Sequence, residues 1–235
     1  MRKAFLFLLL ALVHVTAAVD ADASAPGAGG RDVQATMASK AYLDAHPDLK
    51  FRVEGFHALE QGKFDEARAH FTRAASYADK PSQAILAELA WRGIGQPVDR
   101  ALGYAWSDIA AERGYPAFVA QRERYWSQLS ADEQRRVMEV GQPLMAEHGD
   151  AAAKPRIARH LRLARRYMLS GRPRKDIIVV VPSPGGQQMV LRGHDFYANR
   201  FWDPEDYQAW VDSTWSNPKQ GQVEIGELEQ AGPNP

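Results

Sequence analysis

The chain of 235 residues has no cysteine. Disulfides, thiolate metal sites, a cysteine nucleophile and a lipid anchor on cysteine are therefore excluded. An excess of charge of one sign is also lacking, since 29 basic and 29 acidic side chains cancel to a formal +0. No global positive field is available to hold nucleic acid, and nucleic acid is not expected as a partner. Long apolar runs are scarce: the longest, from Ala4 to about Val13, falls short of the roughly 20 residues that a membrane span needs. Catalytic patterns are missing too. There is no His-Glu-x-x-His, no Gly-x-Ser-x-Gly and no phosphate-cradling glycine loop, and His46, His57, His70, His148, His160 and His194 show no ligand spacing. Ser216 and Lys219 have a Ser-x-x-Lys spacing, but Asn217-Pro218 favours a turn between them, and neither Ser-Asp-Asn nor Lys-Thr-Gly occurs. No catalytic residue, metal or cofactor is expected, and the protein is expected not to be an enzyme.

What is present is an ordinary globular composition, 45% hydrophobic and 25% charged, preceded by a leader. Residues 1–18 carry Arg2 and Lys3, the apolar run, and small residues among Val15 to Ala18. This is the pattern of a secretory signal peptide cleaved near Ala17 or Ala18. The mature chain is then expected in the periplasm or secreted, with no stable membrane insertion after cleavage. Residues 19–38 are rich in Gly, Ala and Asp, show no apolar period and read as a disordered linker.

From 41 to 149 the chain reads as successive helices with short breaks, and it repeats. In FRVEGFHALEQGKFDEARAHFTRAA, Phe51, Gly55 and Ala58 share one helical face, Gly62 breaks the chain, and Phe64, Ala67, Phe71 and Ala74 form a second face. Small residues where two helices cross, with bulky ones beside them, make a tight antiparallel pair. Gly103, Ser107, Ala110 and Ala111 follow Ala67, Phe71, Ala74 and Ala75 at an interval of 36 residues, the period of a helical solenoid.

The first unit resembles a tetratricopeptide repeat through Gly55, Gly62, Phe64, Ala67, Phe71 and Ala74. The second, LAELAWRGIGQPVDRALGYAWSDIAAERG, resembles the Sel-one-like repeat (SLR), a tetratricopeptide relative with a longer inner loop. The matching positions are Leu86, Ala87, Gly93, Gly95, Asp99, Trp106, Ala110, Ala111, Glu112 and Gly114. The unit departs from that family at Ala90, Gln96 and Gly103, where Tyr, Val and Ala are usual. The resemblance covers about residues 49–115, with repeats at 49–79 and 80–115. It implies a mostly α fold, a short solenoid of αα-hairpins.

The residues support the second unit without the family. Pro81 suits a helix first turn, Gly93 and Gly95 can take the positive φ of a helix stop, and Asp99 can cap the next helix. Leu102, Ala105, Trp106, Ile109 and Ala110 then form a stripe to be buried. Trp106 reads as core, its alternative being a ligand platform. Residues 116–149 lack the repeat signature and read as a capping pair. Its first helix carries Phe118, Arg122, Tyr125, Trp126 and Leu129. A Ser130 to Glu133 capping box opens the second, with Val137, Val140, Gly141 and Leu144.

Residues 150–175 read as a basic helix and linker. From 154 to 175, Lys154, Arg156, Arg159, Arg162, Arg165, Arg166, Arg172, Arg174 and Lys175 give a local charge of about +9 with no acidic residue in that stretch. Pro155 is expected to start the helix, with Ile157, Leu161, Leu163 and Ala164 as its apolar side. Two readings stand: an anionic-polymer contact through Arg159, Arg162 and Arg166, or a solvated face paired with the chain's own acidic end. Residues 195–235 hold eight acidic against two basic side chains.

Residues 176–235 read as a small α+β appendage. DIIVVVP and QQMVLR form a hairpin around SPGG, Val223, Ile225 and Leu228 supply a third strand, and Asp203 opens a helix carrying Tyr207, Trp210, Val211 and Trp215. Phe201, Trp202, Tyr207, Trp210 and Trp215 are either the tail's core or an exposed aromatic patch.

By analogy with tetratricopeptide grooves, the resemblance turns Arg52, Phe56, Glu60, Glu88, Trp91 and Arg92 toward a protein or peptide partner. The expected function is a periplasmic non-catalytic interaction module, a scaffold or adaptor. The alternative is a binder or modulator of cell-envelope polymer, peptidoglycan or an anionic glycan.

Overall fold

The computed structural model describes residues 33, 35–168, 178–182 and 188–216. The expected leader, most of the expected linker, the SPGG turn, the third strand and Lys219 lie outside the described residues. Helix α1 (Lys40–Ala45) is capped by Ser39, whose hydroxyl accepts from the Tyr42 N–H. Helices α2 (Pro47–Glu60) and α3 (Phe64–Ala75) pack as one pair, and α4 (Lys80–Arg92) and α5 (Arg100–Ala110) as the next. The expected crossings are there. Gly55 lets the buried Phe71 ring lie against the α2 backbone, and Gly103 brings α5 against Ala87 and Trp91 of α4. A Cβ at Gly103 would stand 3.0 Å from the Ala87 carbonyl oxygen, which accounts for Gly where the resembled family has Ala. Helix α4 stops at Gly93, whose φ of 67° is left-handed, and the Asp99 carboxylate caps α5 by accepting from the Leu102 N–H at 3.0 Å. Trp106 is core, buried with Phe71, Ile85, Leu89 and Ile109.

A 3-10 turn (Ala111–Arg113) leads to α6 (Pro116–Trp126), and α7 (Ala131–His148) opens with both hydrogen bonds of the Ser130/Glu133 capping box. The expected capping pair differs in its packing. Both α6 and α7 pack on α5, because Ala105 and Gly141 leave room for α7 to seat there. Helix α8 (Asp150–Met168) starts five residues before the expected Pro155. Its start is fixed by the Asp150 N–H, which donates to a Glu112 carboxylate oxygen at 2.9 Å. Ile157 and Leu161 face inward as expected, while Leu163 is 58% exposed.

The chain then forms the expected hairpin, β1 (Ile178–Pro182) antiparallel to β2 (Gln188–Arg192), with Val180 opposite Val190. Short helices α9 (Gly193–Phe196) and α10 (Asn199–Trp202) and the longer α11 (Pro204–Ser216) follow. The aromatic residues are internal: Phe201, Trp202, Tyr207 and Trp215 are buried. Their core is not the tail's alone, since Tyr42, Ala45 and Leu49 share it with Val181, Leu191, Phe196, Phe201 and Trp202. The C-terminal part therefore seats on α1 and the start of α2. Residues 35–38, within the expected linker, are helical, and Val33 and Thr36 are buried. The architecture is mostly α: two αα-hairpin repeats, two further helices on the second, a basic helix, and a small C-terminal α+β part.

Candidate functional site

Helices α2, α4 and α6 are the first helices of successive units, and the residues expected to meet a partner lie on α2 and α4. Glu60 is exposed, 3.6 Å from the His57 ring one turn away. Phe56 is half-buried, its ring edge-on to Phe71 with centroids 5.2 Å apart. Trp91 lies flat on Tyr125 of α6, centroids 3.9 Å apart and planes 6° apart, and the Arg100 guanidinium sits 5.5 Å from its centroid. Arg92 is exposed and pairs with Glu88.

Two of the six residues are turned inward. Glu88 is buried, accepting a hydrogen bond from the Tyr125 hydroxyl. Burial first, and then the hydrogen bond to Glu88 and its charge, raise the Tyr125 phenol above its ordinary value. Arg52 is buried too, with Nη1 3.5 Å from the Asp79 carboxylate. These two side chains tie helices together and present no free charge to a ligand. Sequence reasoning assigns α6 to a cap and so omits Gln121 and Tyr125 from the face. The available signal is the 37-residue interval from Glu88 to Tyr125, close to the repeat period.

One end of this face is closed by α11. Trp215 packs on Phe118 and Tyr115, with ring centroids 5.2 and 6.5 Å away, and the Tyr207 hydroxyl donates to Asp48 of α2. Asp212 accepts from the Tyr115 hydroxyl. A cavity of about 50 Å³ lies beneath the helix, between Asp48, Arg52, Asp79, Lys80, Tyr207 and Trp210. Burial pushes the Asp48 and Asp79 carboxyls up, and Asp48 Oδ1 has no hydrogen-bond partner.

Beside the cavity is a satisfied ionic cluster. Lys80, 1% exposed, donates to the Ile109 carbonyl at 2.7 Å and to Glu112 at 2.8 Å, and lies 3.0 Å from Asp150. Arg113 donates to both Asp150 oxygens, at 2.7 and 2.8 Å. Burial opposes the charged form of Asp150, but the hydrogen bonds and charge of Arg113, then Lys80, outweigh it and hold the carboxyl below its usual range. Burial pulls the Lys80 ammonium down, against the attraction of Asp150. This cluster joins α4, the α5 end and α8, and is structural.

On α8, Arg159, Arg162 and Arg166 are exposed. Arg165 pairs with Asp203, and Arg162 reaches Glu205 at 4.0 Å, so part of the basic face does meet the chain's acidic end. Arg159 and Arg166 have no ion-pair partner among the described residues. Among the described residues, no group of three or more His, Asp and Glu side chains could hold a metal ion, and no helix is long and apolar enough to cross a membrane. Ser216 ends α11.

The fold and this face define the class as a short helical-repeat protein with a C-terminal α+β part. No family model matches the chain, and no curated protein matches it. Among solved structures, the chain is similar to a protective antigen of uropathogenic Escherichia coli strains that displays an SLR fold. Sequence identity is 20%, the match covers 55% of this chain and 27% of that one, and the TM-score is 0.40. The chain thus spans about a quarter of that antigen's length. The architecture stated above rests on this chain's own contacts.

Proposed function

We propose that the protein is a non-catalytic, periplasmic interaction module of the Sel-one-like type, holding a protein or peptide on the part of the α2/α4/α6 face that α11 leaves open. The observation that carries this is the run of partly exposed side chains there: Phe56 and Glu60 on α2, and Trp91 and Arg92 on α4. An apolar body flanked by charges of both signs suits a peptide with one or two large apolar anchors and a polar rim. The leader-like residues 1–18 and the resemblance at residues 49–115 support location and class. With two clear repeats the face is short and the affinity modest.

A second reading has its own observation. Arg159 and Arg166, two turns apart on α8 without ion-pair partners among the described residues, suit an anionic envelope polymer such as peptidoglycan, with Arg162 between them. Salt separates the two. Partner binding on the open face changes only a few-fold between about 0.05 and 0.5 M salt, whereas an arginine-held polyanion is lost steeply over that range. A steep loss that disappears in Arg159→Gln/Arg166→Gln assigns the function to the polymer and overturns the first reading.

A further inference from the structure

A separate cleft opens where α2, α3, α7 and α8 converge, with a volume of about 650 Å³, in the range of small-molecule sites. Its walls are Phe51, Arg73, Ser76, Tyr77, Glu147 and Arg156, none of which belongs to the α2/α4/α6 face discussed above. Two aromatic rings line it in nearly the same orientation: Phe51 and Tyr77 have planes 24° apart and centroids 6.5 Å apart, and both are half-buried. Two guanidinium groups accompany them. Arg73 lies 5.3 Å from the Phe51 centroid, exposed, with no carboxylate paired to it among the described residues. Arg156 is fixed at the wall, its Nη1 donating to the Glu147 carbonyl at 2.6 Å and to the Ser76 carbonyl at 3.3 Å.

We propose that this cleft binds a small ligand carrying a carboxylate on a six-membered ring. The ring packs on the apolar surface that Phe51 and Tyr77 present beside the Arg73 guanidinium, which lies over Phe51. The carboxylate meets the planar donors of Arg73 and Arg156, which suit two-point recognition of an oxyanion. Glu147, whose side chain is 68% exposed at the rim, sets the charge of the ligand. Two cations and one anion around the cleft favour a monoanion over a dianion, and Glu147 can accept a hydroxyl of a sugar ring. The cleft is independent of the proposed interaction face, since its lining residues lie on another side of the helices.

The test is a calorimetric or NMR titration of the full chain with benzoate, with glucuronate, and with glucose as the neutral control. Saturable millimolar binding of either acid, with none of glucose, is expected, and Arg73→Gln weakens it about tenfold at unchanged thermal midpoint. Benzoate alone identifies an aromatic ring, glucuronate alone a sugar ring, and both together a site that tolerates either. Binding of neither acid overturns the proposal. So does binding of an acid that Arg73→Gln leaves unchanged, or binding of glucose as tight as that of glucuronate.

Discussion

The Phe71 ring occupies the space that any side chain at Gly55 would need: a Cβ there would stand 2.7 Å from Phe71 Cε1. This contact sets how closely α2 and α3 cross, so Gly55→Val must push the pair apart. Overpacking of this kind costs about 1–3 kcal/mol, or roughly 2–12 °C in the thermal midpoint for a chain of this size. A melt of Gly55→Val that overlays wild type would show that the repeat register is wrong.

Lys80 is the buried cation on which Glu112 and Asp150 converge. Lys80→Met keeps much of the volume and removes the charge, leaving Asp150 with Arg113 and Lys154, and Glu112 without its cation. Breaking one partner of a buried network costs about 3–5 kcal/mol. Urea unfolding of this variant is expected to show that loss. A loss below about 1 kcal/mol would place the cluster in contact with solvent.

His46 has both ring nitrogens against carbonyl oxygens, Nδ1 2.8 Å from Tyr42 O and Nε2 2.7 Å from Phe201 O. Burial nevertheless pulls its pKa from 6.5 to about 4, so the native ring is neutral at neutral pH and donates to one of the two. Because the folded value is depressed, the unfolded chain takes up this proton first as pH falls. The contribution of His46 to stability is therefore fully present above 6.5 and declines by about 3 kcal/mol as pH falls to 4. Wild type measured against His46→Gln isolates that slope from the other titrating groups. A flat difference would mean that the native ring is an imidazolium donating to both carbonyls.

Tyr207 fastens α11 to α2 by donating to Asp48, whose other oxygen already lacks a partner. Tyr207→Phe removes that donor and is expected to cost about 1–3 kcal/mol in urea unfolding. Equal stability would show that Asp48 reaches water.

The local rules of the repeats were legible in the sequence because they are carried by residues close in the chain. Gly55 with Phe71, Gly93 with Asp99, the Ser130/Glu133 box and the Trp106 stripe each need only spacing and residue type. The joining of α1 to the C-terminal part was not legible. His46 meets Phe201 across 155 residues, and neither position carries a pattern that names the other. The same limit applies to the six face residues. The analogy with tetratricopeptide grooves turned Arg52 and Glu88 toward a partner, but both are buried, because Asp79 and Tyr125 meet them from elsewhere in the chain. Pro155 suggested a helix start because proline favours first turns, whereas Glu112 fixed the start earlier by accepting from the Asp150 N–H.

The central claim is that a partner meets the open part of the α2/α4/α6 face. Its most direct test places a photo-crosslinking residue, in the native cell, at Glu60 on the face, at Arg162 on α8, and at Met138, which is 65% exposed on α7. The account predicts one discrete protein adduct from Glu60 and none from Met138. No adduct from Glu60, the same adduct from all three positions, or adducts to glycan-bearing material from Arg162 alone would contradict it.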